Sequence, residues 1–223
     1  MPDRRFYRTP NGDEYLSATT LLKVLDDGGI DAWRKRVGEK EAQEIVEDAA
    51  GRGTHFHLLC EKYVTGEELI IPDLDPRHGV MFNRAKPHIN KFSEIYASEY
   101  ALYSDKVQAA GTVDIVGSLN GLLTVGDFKS ARYAGKHAEW GKKKVFKYLI
   151  QCGGYGIMWY ERYGQMPQQA CIIMVSEYDL TCRFIVEPIK PFMKEFARVA
   201  LAAQGKYPVE QLSYFKVFGG KPK

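Results

Sequence analysis

The sequence feature that most constrains the fold is the Asn-Gly pair at 120–121, which lies between two apolar, β-branched runs. Such a pair is typical of a two-residue hairpin with a type I′ turn. It predicts antiparallel strands at 110 to 118 and 122 to 129. The turn also fixes their register, which places residue 114 opposite residue 127.

Both of these facing positions hold an aspartate, Asp114 and Asp127. Facing residues on one side of a strand pair have β-carbons roughly 4.5 to 5.5 Å apart, and two carboxylates that close repel each other unless a cation binds. Oxygen ligands of this kind suit Mg²⁺ or Mn²⁺. Lys129 lies two residues after Asp127 and therefore on the same strand face.

Two acids and a lysine on one strand pair form a set that can cleave phosphodiesters. The metal binds the scissile phosphate and generates hydroxide, and the lysine stabilises developing charge. The alternative is an Asp-Lys pair on an exposed sheet face. The apolar residues around these charges, such as Val113, Ile115 and Phe128, argue against that alternative.

The remaining pattern predicts an α/β (α+β) protein whose central mixed sheet of about four to five strands is flanked by helices. Further strands are predicted at 98 to 104, 168 to 176 and 181 to 187. Asn11-Gly12 predicts an N-terminal hairpin, and Ser17 a helix cap. Helices are predicted from there to Gly28-Gly29, at 30 to 50, from 52 to Gly66, and at 79 to 97, 142 to 163 and 190 to 204. We expect one domain, 1–223, with an N-terminal extension (1–50), a core (51–190) and a C-terminal helix and tail (190–223).

Composition sets broad limits. The 223 residues are 45% hydrophobic and 26% charged, with a net charge of +3 and four separated cysteines, which suits a soluble globular protein with reduced core thiols. No apolar run approaches a membrane span and no leader pattern is present, so we expect a cytoplasmic protein of a bacterium or a phage-infected cell.

Four motifs in order resemble one nuclease family. G-T-V-D at 111–114 and D-F-K-S at 127–130 resemble motifs II and III of the RecB-like branch of the PD-(D/E)xK superfamily. That branch also carries an upstream helical R-G-T-x-x-H-x-x-x-E and a downstream Q-x-x-x-Y. The matching residues here are Arg52, Gly53, Thr54, His57, Glu61, Gln151 and Tyr155. The segment from Ser17 through Trp33 to Glu61 is similar to phage and mitochondrial genome maintenance exonucleases.

The resemblance implies a restriction-endonuclease-like core and a metal site. His57, Asp114, Asp127 and the carbonyl of Phe128 would hold Mg²⁺ or Mn²⁺, as one or two ions, with Lys129 beside them. Glu61 shares a helix face with His57 and is a further catalytic candidate. It ranks slightly ahead of Glu99, which lies at the start of the first predicted core strand, where related enzymes often carry an acid.

The resemblance and the composition near the site also nominate substrate-binding residues: Gln151, Tyr155, Arg52, Thr112, Ser130, Trp140 and Lys143. Gln151 and Tyr155 could instead belong to a buried aromatic stripe, and the basic run at 132 to 147 to a solvated face. Gly153, Gly154 and Gly156 each cost roughly 1 kcal/mol relative to Ala in a helix, which predicts a close neighbour, expected to be the sheet.

The predicted activity is that of a metal-dependent DNA exonuclease acting on free ends or single strands in phage or bacterial recombination, repair or genome processing. Single-strand-binding or recombination proteins are expected partners, and we expect no membrane association. Exonuclease over endonuclease rests on the resemblance. One alternative is a CRISPR-associated RecB-like nuclease, but the spacing of these cysteines does not fit the iron-sulfur cluster of that group. Two others are a catalytically silent DNA-binding or helicase-partner module and a metal-dependent hydrolase of another fold.

Overall fold

The structure, a computed structural model, describes residues 4–70, 74–132 and 138–219, with the backbone alone at 138–140. Residues 133 to 137 of the basic run and the side chain of Trp140 therefore lie outside the described residues.

The described residues form seven strands and seven α-helices. The strands are β1 (Phe6–Arg8), β2 (Glu14–Ser17), β3 (Phe92–Ser104), β4 (Ala109–Leu119), β5 (Leu122–Ala131), β6 (Gln169–Ser176) and β7 (Cys182–Pro188). The helices are α1 (Ala18–Leu21), α2 (Gly29–Val37), α3 (Glu39–Thr65), α4 (Pro76–Ile89), α5 (Ala138–Tyr163), α6 (Lys190–Ala203) and α7 (Ser213–Phe218). Short 3₁₀ turns lie at Leu22–Leu25 and Val209–Gln211.

All the strands join one mixed sheet in the order β1-β2-β4-β5-β6-β7, with β3 along the other edge of β4. The pairs β2–β4 and β5–β6 are parallel and the others antiparallel. The predicted mixed α/β architecture is confirmed. The sheet is larger than the four to five strands predicted because the N-terminal hairpin extends it, pairing Leu16 and Ser17 with Ala109 and Ala110.

The Asn-Gly hairpin is confirmed. Leu119 pairs with Leu122 across the turn, and Asn120 and Gly121 have φ of 54° and 75°, as a type I′ turn requires. The pairing runs as far as Ile115 and Gly126 in the predicted register. Its next step would bring Asp114 opposite Asp127.

Helices cover both faces of the sheet. On one face, α1, α5 and α6 pack against residues that include Val113, Val125 and Ile172. On the other, α3 and α4 pack against Ile115 and Phe128, among others. The four cysteines are free, and three of them are buried.

Several helix boundaries differ from the prediction. The helix predicted at 79 to 97 ends at Ile89, because β3 begins at Phe92 and pairs with β4. Gly28-Gly29 begins α2 rather than ending the helix before it. The helices predicted at 30 to 50 and from 52 onward divide instead at Gly38, whose φ of 96° breaks the helix, and α3 then runs on unbroken to Gly66.

Gly153, Gly154 and Gly156 of α5 face α6 and the residue that precedes it, so the expectation that they face the sheet is wrong. A β-carbon on Gly153 would lie 2.4 Å from the backbone of Phe192, and one on Gly154 would lie 2.6 Å from the Phe196 ring. Both neighbours belong to α6.

No helix within the described ranges is long and apolar enough to cross a membrane.

Candidate metal centre

Asp127 and Lys129 lie two residues apart on β5, and both point toward α5. Lys129 Nζ lies 2.5 Å from Asp127 Oδ1, which also accepts a hydrogen bond of 3.3 Å from Gln151 Nε2. Asp127 is only 1% exposed, yet its Oδ2 has no hydrogen-bond partner among the described residues. A buried carboxylate oxygen without a partner is costly, and a cation is a partner that would satisfy it.

Asp114 lies where β4 and β5 separate. Because β3 pairs along one edge of β4, both β5 and β2 must use the other edge, β5 up to Ile115 and β2 at Ala109 and Ala110. The opening between them is called the fork here. Asp114 Oδ2 accepts a 2.6 Å hydrogen bond from the backbone N–H of Phe128 and so replaces a backbone ladder bond at this point.

The carbonyl of Phe128 faces the same opening. A strand residue directs its N–H and its C=O to the same edge, and the N–H of Phe128 meets Asp114. This orientation fits the metal-ligand role predicted for that carbonyl.

The side-chain alternation of β4 breaks at Asp114. Before it, Gly111 and Val113 face α5, whereas after it Ile115 and Gly117 face α3 and α4. A regular strand would keep all four on one face. The break turns Asp114 out of its regular position and toward the fork.

Glu99 on β3 lies opposite this break. It falls between the pairs Ser98–Ile115 and Tyr100–Val113, and its φ of 44° is in the left-handed region. Non-glycine residues rarely adopt that conformation within a strand. The two strands are therefore distorted together at Glu99 and Asp114.

His57 completes a cluster from the opposite layer. On α3, its Nδ1 lies 3.5 Å from Asp114 Oδ2 and 3.8 Å from Glu99 Oε1. Within the described part of the chain, His57, Glu99 and Asp114 are the one group of three or more such side chains whose ligand atoms all lie within 4.8 Å of one another. Asp127 is outside this group, on the α5 side of the fork.

The pKa values reflect burial and charge. Burial raises the pKa of Asp127 to about 7, with Asp114 adding to the rise and Lys129 opposing it. Burial alone would lower the pKa of His57, but the charge of Asp114 and a hydrogen bond with Glu99 raise it overall. The pKa of Lys129 is likewise raised, because Asp127 and Asp114 outweigh its burial. Excess negative charge at the fork thus favours cations.

Glu61 lies near this cluster without joining it. Its pKa is raised, first by partial burial and then by the charge of Glu99. The structure brings Glu99 rather than Glu61 to His57 and Asp114. The catalytic role predicted for Glu61 stays a prediction.

The predicted substrate-binding residues divide into two groups. Gln151 links Asp127 to the Tyr155 hydroxyl, at 3.3 and 3.4 Å, and both side chains are buried. The others lie farther out. Thr112 on β4 and Ser130 on β5 are half-buried, and Lys143 pairs with Asp27 at 3.4 Å.

Arg52 is 5% exposed, and its Nη1 is engaged by Asp48 at 3.1 Å and Glu177 at 3.0 Å. Asp48 lies on the same helix, and the pair with Glu177 ties α3 to the turn after β6. A direct contact of this guanidinium with substrate remains a prediction.

Sequence reasoning did not assign a role to Tyr148. Its ring centroid lies 5.1 Å from Lys129 Nζ. The available signal was helical spacing, since Tyr148, Gln151 and Tyr155 share one face of α5.

Comparisons with known proteins add little. No protein-family model and no curated protein matches the chain. Among solved structures, the crystal structure of SSO0001 is similar over 88% of this chain and 82% of its own, with 12% sequence identity and a TM-score of 0.44. Similarity at this level establishes neither a shared fold nor a shared activity.

Proposed function

We propose that this chain is a metal-dependent DNA nuclease with a restriction-endonuclease-like core, of the PD-(D/E)xK superfamily. The observation that carries the proposal is the fork. At the fork, ligand atoms of His57, Glu99 and Asp114 lie within 4.8 Å of one another, and the Asp127–Lys129 pair lies on its α5 side. The motif order along the sequence supports the same conclusion.

The side chains fit a hard divalent cation. Carboxylate oxygens are the ligands that Mg²⁺ and Mn²⁺ prefer, and an imidazole ligand is more compatible with Mn²⁺, a transition-metal ion, than with the harder Mg²⁺. Asp127 Oδ2, which has no hydrogen-bond partner in the described part of the chain, is a further oxygen donor on the α5 side of the fork. A bound cation would supply Lewis-acid chemistry, by lowering the pKa of a coordinated water and neutralising phosphate charge.

The chain's own residues would act around that ion. Lys129 places a cation where negative charge develops on the scissile phosphate. Gln151 holds Asp127 in place through its 3.3 Å hydrogen bond. The Phe128 N–H fixes the orientation of Asp114 through Oδ2, the oxygen that also lies 3.5 Å from His57 Nδ1.

The finer assignment is that of an exonuclease working on DNA ends or single strands in recombination, repair or genome processing of a phage or bacterium, in the cytoplasm. It comes from the resemblance to phage and mitochondrial exonucleases. Single-strand-binding or recombination proteins are the partners that such an activity would need.

The test is cleavage of end-labelled linear DNA and of circular DNA, single- and double-stranded, with Mg²⁺, Mn²⁺ or EDTA. We expect metal-dependent loss of linear DNA only. Asp114→Asn should abolish cleavage and retain DNA binding. Lys129→Met should slow cleavage by about 10²-fold, as loss of one preorganised charge does. The exposed Asp13→Asn and Lys194→Met are matched controls and should behave as wild type.

The results of these assays distinguish an exonuclease, an endonuclease and a silent DNA-binding module. If no form of DNA is cleaved in a metal-dependent way, the nuclease proposal is wrong. Retained DNA binding would then favour the silent DNA-binding module. Cleavage of intact single-stranded circles would remove the exonuclease assignment and leave the nuclease one.

A further inference from the structure

The ammonium of Lys129 is held on two sides. Asp127 Oδ1 lies 2.5 Å from Nζ, and the ring of Tyr148 lies 5.1 Å from it, measured to the centroid. The Lys129 side chain is 17% exposed and Tyr148 is half-buried, so this contact is partly shielded from bulk water. A cation that close to a tyrosine ring is attracted by the negative face of the ring, and more strongly where water is excluded.

The two contacts constrain the lysine differently. A carboxylate takes an N–H donor along a defined direction, whereas a ring attracts the charge through its whole face. The ammonium has three donors. Held by the ring as well as by Asp127, it keeps a fixed position and can still direct a donor toward the fork.

One turn of α5 contacts both charged residues of the Asp-x-Lys motif on β5. Gln151 bonds Asp127, and Tyr148, three residues earlier, contacts Lys129. Alternate strand residues are roughly 6.6 Å apart along β5, and residues three apart rise about 4.5 Å along a helix, so one helix face can contact both. Tyr148 and Gln151 lie on the same face of α5 because residues three apart in a helix are neighbours on its surface.

We propose that Tyr148 is a positioning residue for Lys129, holding its ammonium where the scissile phosphate binds. The inference deepens the proposed nuclease function and rests on it. The ring carries this role and the hydroxyl does not, so Tyr148→Phe should retain it and Tyr148→Leu should lose it.

The contact itself can be measured without metal or DNA. In protein with ¹³C-labelled lysine, the Lys129 ε-methylene signal should be shifted by the ring current of Tyr148. We expect the shift to persist in Tyr148→Phe and to disappear in Tyr148→Leu. Tyr160→Leu, which removes an exposed tyrosine from the same helix, should leave the signal unchanged.

The consequence for the reaction is measured in Mn²⁺ with linear DNA. Tyr148→Leu should lower kcat by about five- to tenfold, the range expected for one such contact, while KM and Mn²⁺ affinity stay within about twofold of wild type. In a Lys129→Met background, Tyr148→Leu should cause no further loss, because its effect passes through Lys129. Melting curves establish that each variant is folded.

The outcomes are separable from those of the proposed function. An active wild-type protein whose Lys129 signal is unmoved by Tyr148→Leu overturns this inference alone. So does an equal loss from Tyr148→Leu in the wild-type and Lys129→Met backgrounds. A wild-type protein that cleaves no DNA under any metal overturns the nuclease function, even where the ring-current shift establishes the contact.

Discussion

Glu99 shows, at the scale of single residues, how the site uses an unfavourable backbone. Its φ of 44° costs on the order of 1–3 kcal/mol for an ordinary residue in a strand. The conformation persists because the residues on both sides, Ser98 and Tyr100, are paired with β4. The result is a carboxylate close to His57 and Asp114.

Two substitutions at Glu99 separate the backbone effect from the charge. Glu99→Asn and Glu99→Val both remove the carboxylate, but asparagine tolerates the left-handed region and a β-branched residue does not. Despite the higher strand propensity of valine, Glu99→Asn should be the more stable in EDTA by about 1–2 kcal/mol, measured by urea denaturation. A more stable Glu99→Val would mean that the backbone at 99 is not left-handed.

Both variants should also bind Mn²⁺ at least about tenfold more weakly by calorimetry, since a ligand atom is lost. Glu94→Asn, an exposed change on the same strand, is the control and should bind as wild type.

The sequence predicts part of this site and not the rest, for a physical reason. The register that brings Asp114 toward Asp127 follows from the turn at Asn120-Gly121, and the side of Lys129 follows from strand alternation. The break at Asp114 and the left-handed Glu99 carry no sequence signal, because no glycine marks either position. For that reason Glu61, at helical spacing from His57, ranked ahead of Glu99.

At the scale of elements, the contact between α5 and α6 depends on glycine. A β-carbon at Gly153 would meet backbone atoms of α6 at 2.4 Å, whereas one at Gly51, on an exposed part of α3, would meet nothing within 4 Å. Gly51→Ala should therefore stabilise the protein by about 1 kcal/mol through helix propensity alone. Gly153→Ala should destabilise it by about 1–3 kcal/mol, as overpacking does. Thermal and urea unfolding of both variants measure the difference, and a stabilising Gly153→Ala would contradict the packing described.

The start of α4 contains a pH-sensitive contact. Burial lowers the pKa of His78, aided by its neighbour His55, whose Nδ1 lies 3.0 Å from that of His78, although Asp75 opposes the shift. Below the unfolded pKa of about 6.5, the unfolded chain therefore binds more protons at this residue, and stability falls as the pH falls toward the folded pKa.

The free energy of unfolding should accordingly drop less between pH 7.5 and 5.5 in His78→Asn than in wild type. His57 contributes in the opposite direction, since its raised pKa gives stability that is present below about pH 6.5 and lost as the pH rises. That contribution is common to both proteins and cancels in the comparison. An equal pH dependence in the two proteins would show that His78 is not held in its neutral form.

Elements were predictable where a local pattern decides them and less so where tertiary pairing does. The strands after residue 97 and the cap at Ser17 follow from turn and capping residues. The sequence pattern predicts a helix at 92 to 97, whereas these residues form a strand because they pair with β4. Gly153 and Gly154 of α5 predict a close neighbour, but the helical periodicity of the sequence does not identify that neighbour as α6.

On the scale of the whole molecule, the candidate metal centre brings together side chains from layers that are otherwise held by apolar packing. His57 comes from α3 on one face of the sheet, Asp114 and Glu99 from the sheet itself, and Asp127 faces α5 on the other side. A cation bound by these residues would bind the folded state only, because the unfolded chain does not bring them together. Folding and metal binding are then linked, and saturation at about 100 times Kd is worth about 2.7 kcal/mol.

Mn²⁺ should therefore raise the melting temperature of the wild-type protein over its value in EDTA, and the rise should grow with the logarithm of Mn²⁺ concentration above Kd. His57→Asn should lose most of this shift, because it removes the member of the cluster that α3 supplies, whereas His88→Asn, a change on α4 where His88 stacks on Phe184, should keep it. Hydrogen exchange gives the spatial test. Mn²⁺ should slow exchange at α3 around His57 and at the fork together in the wild type, and only at the fork in His57→Asn. Protection confined to the fork in the wild-type protein would mean that α3 does not contribute a ligand and that the centre is built from the sheet alone.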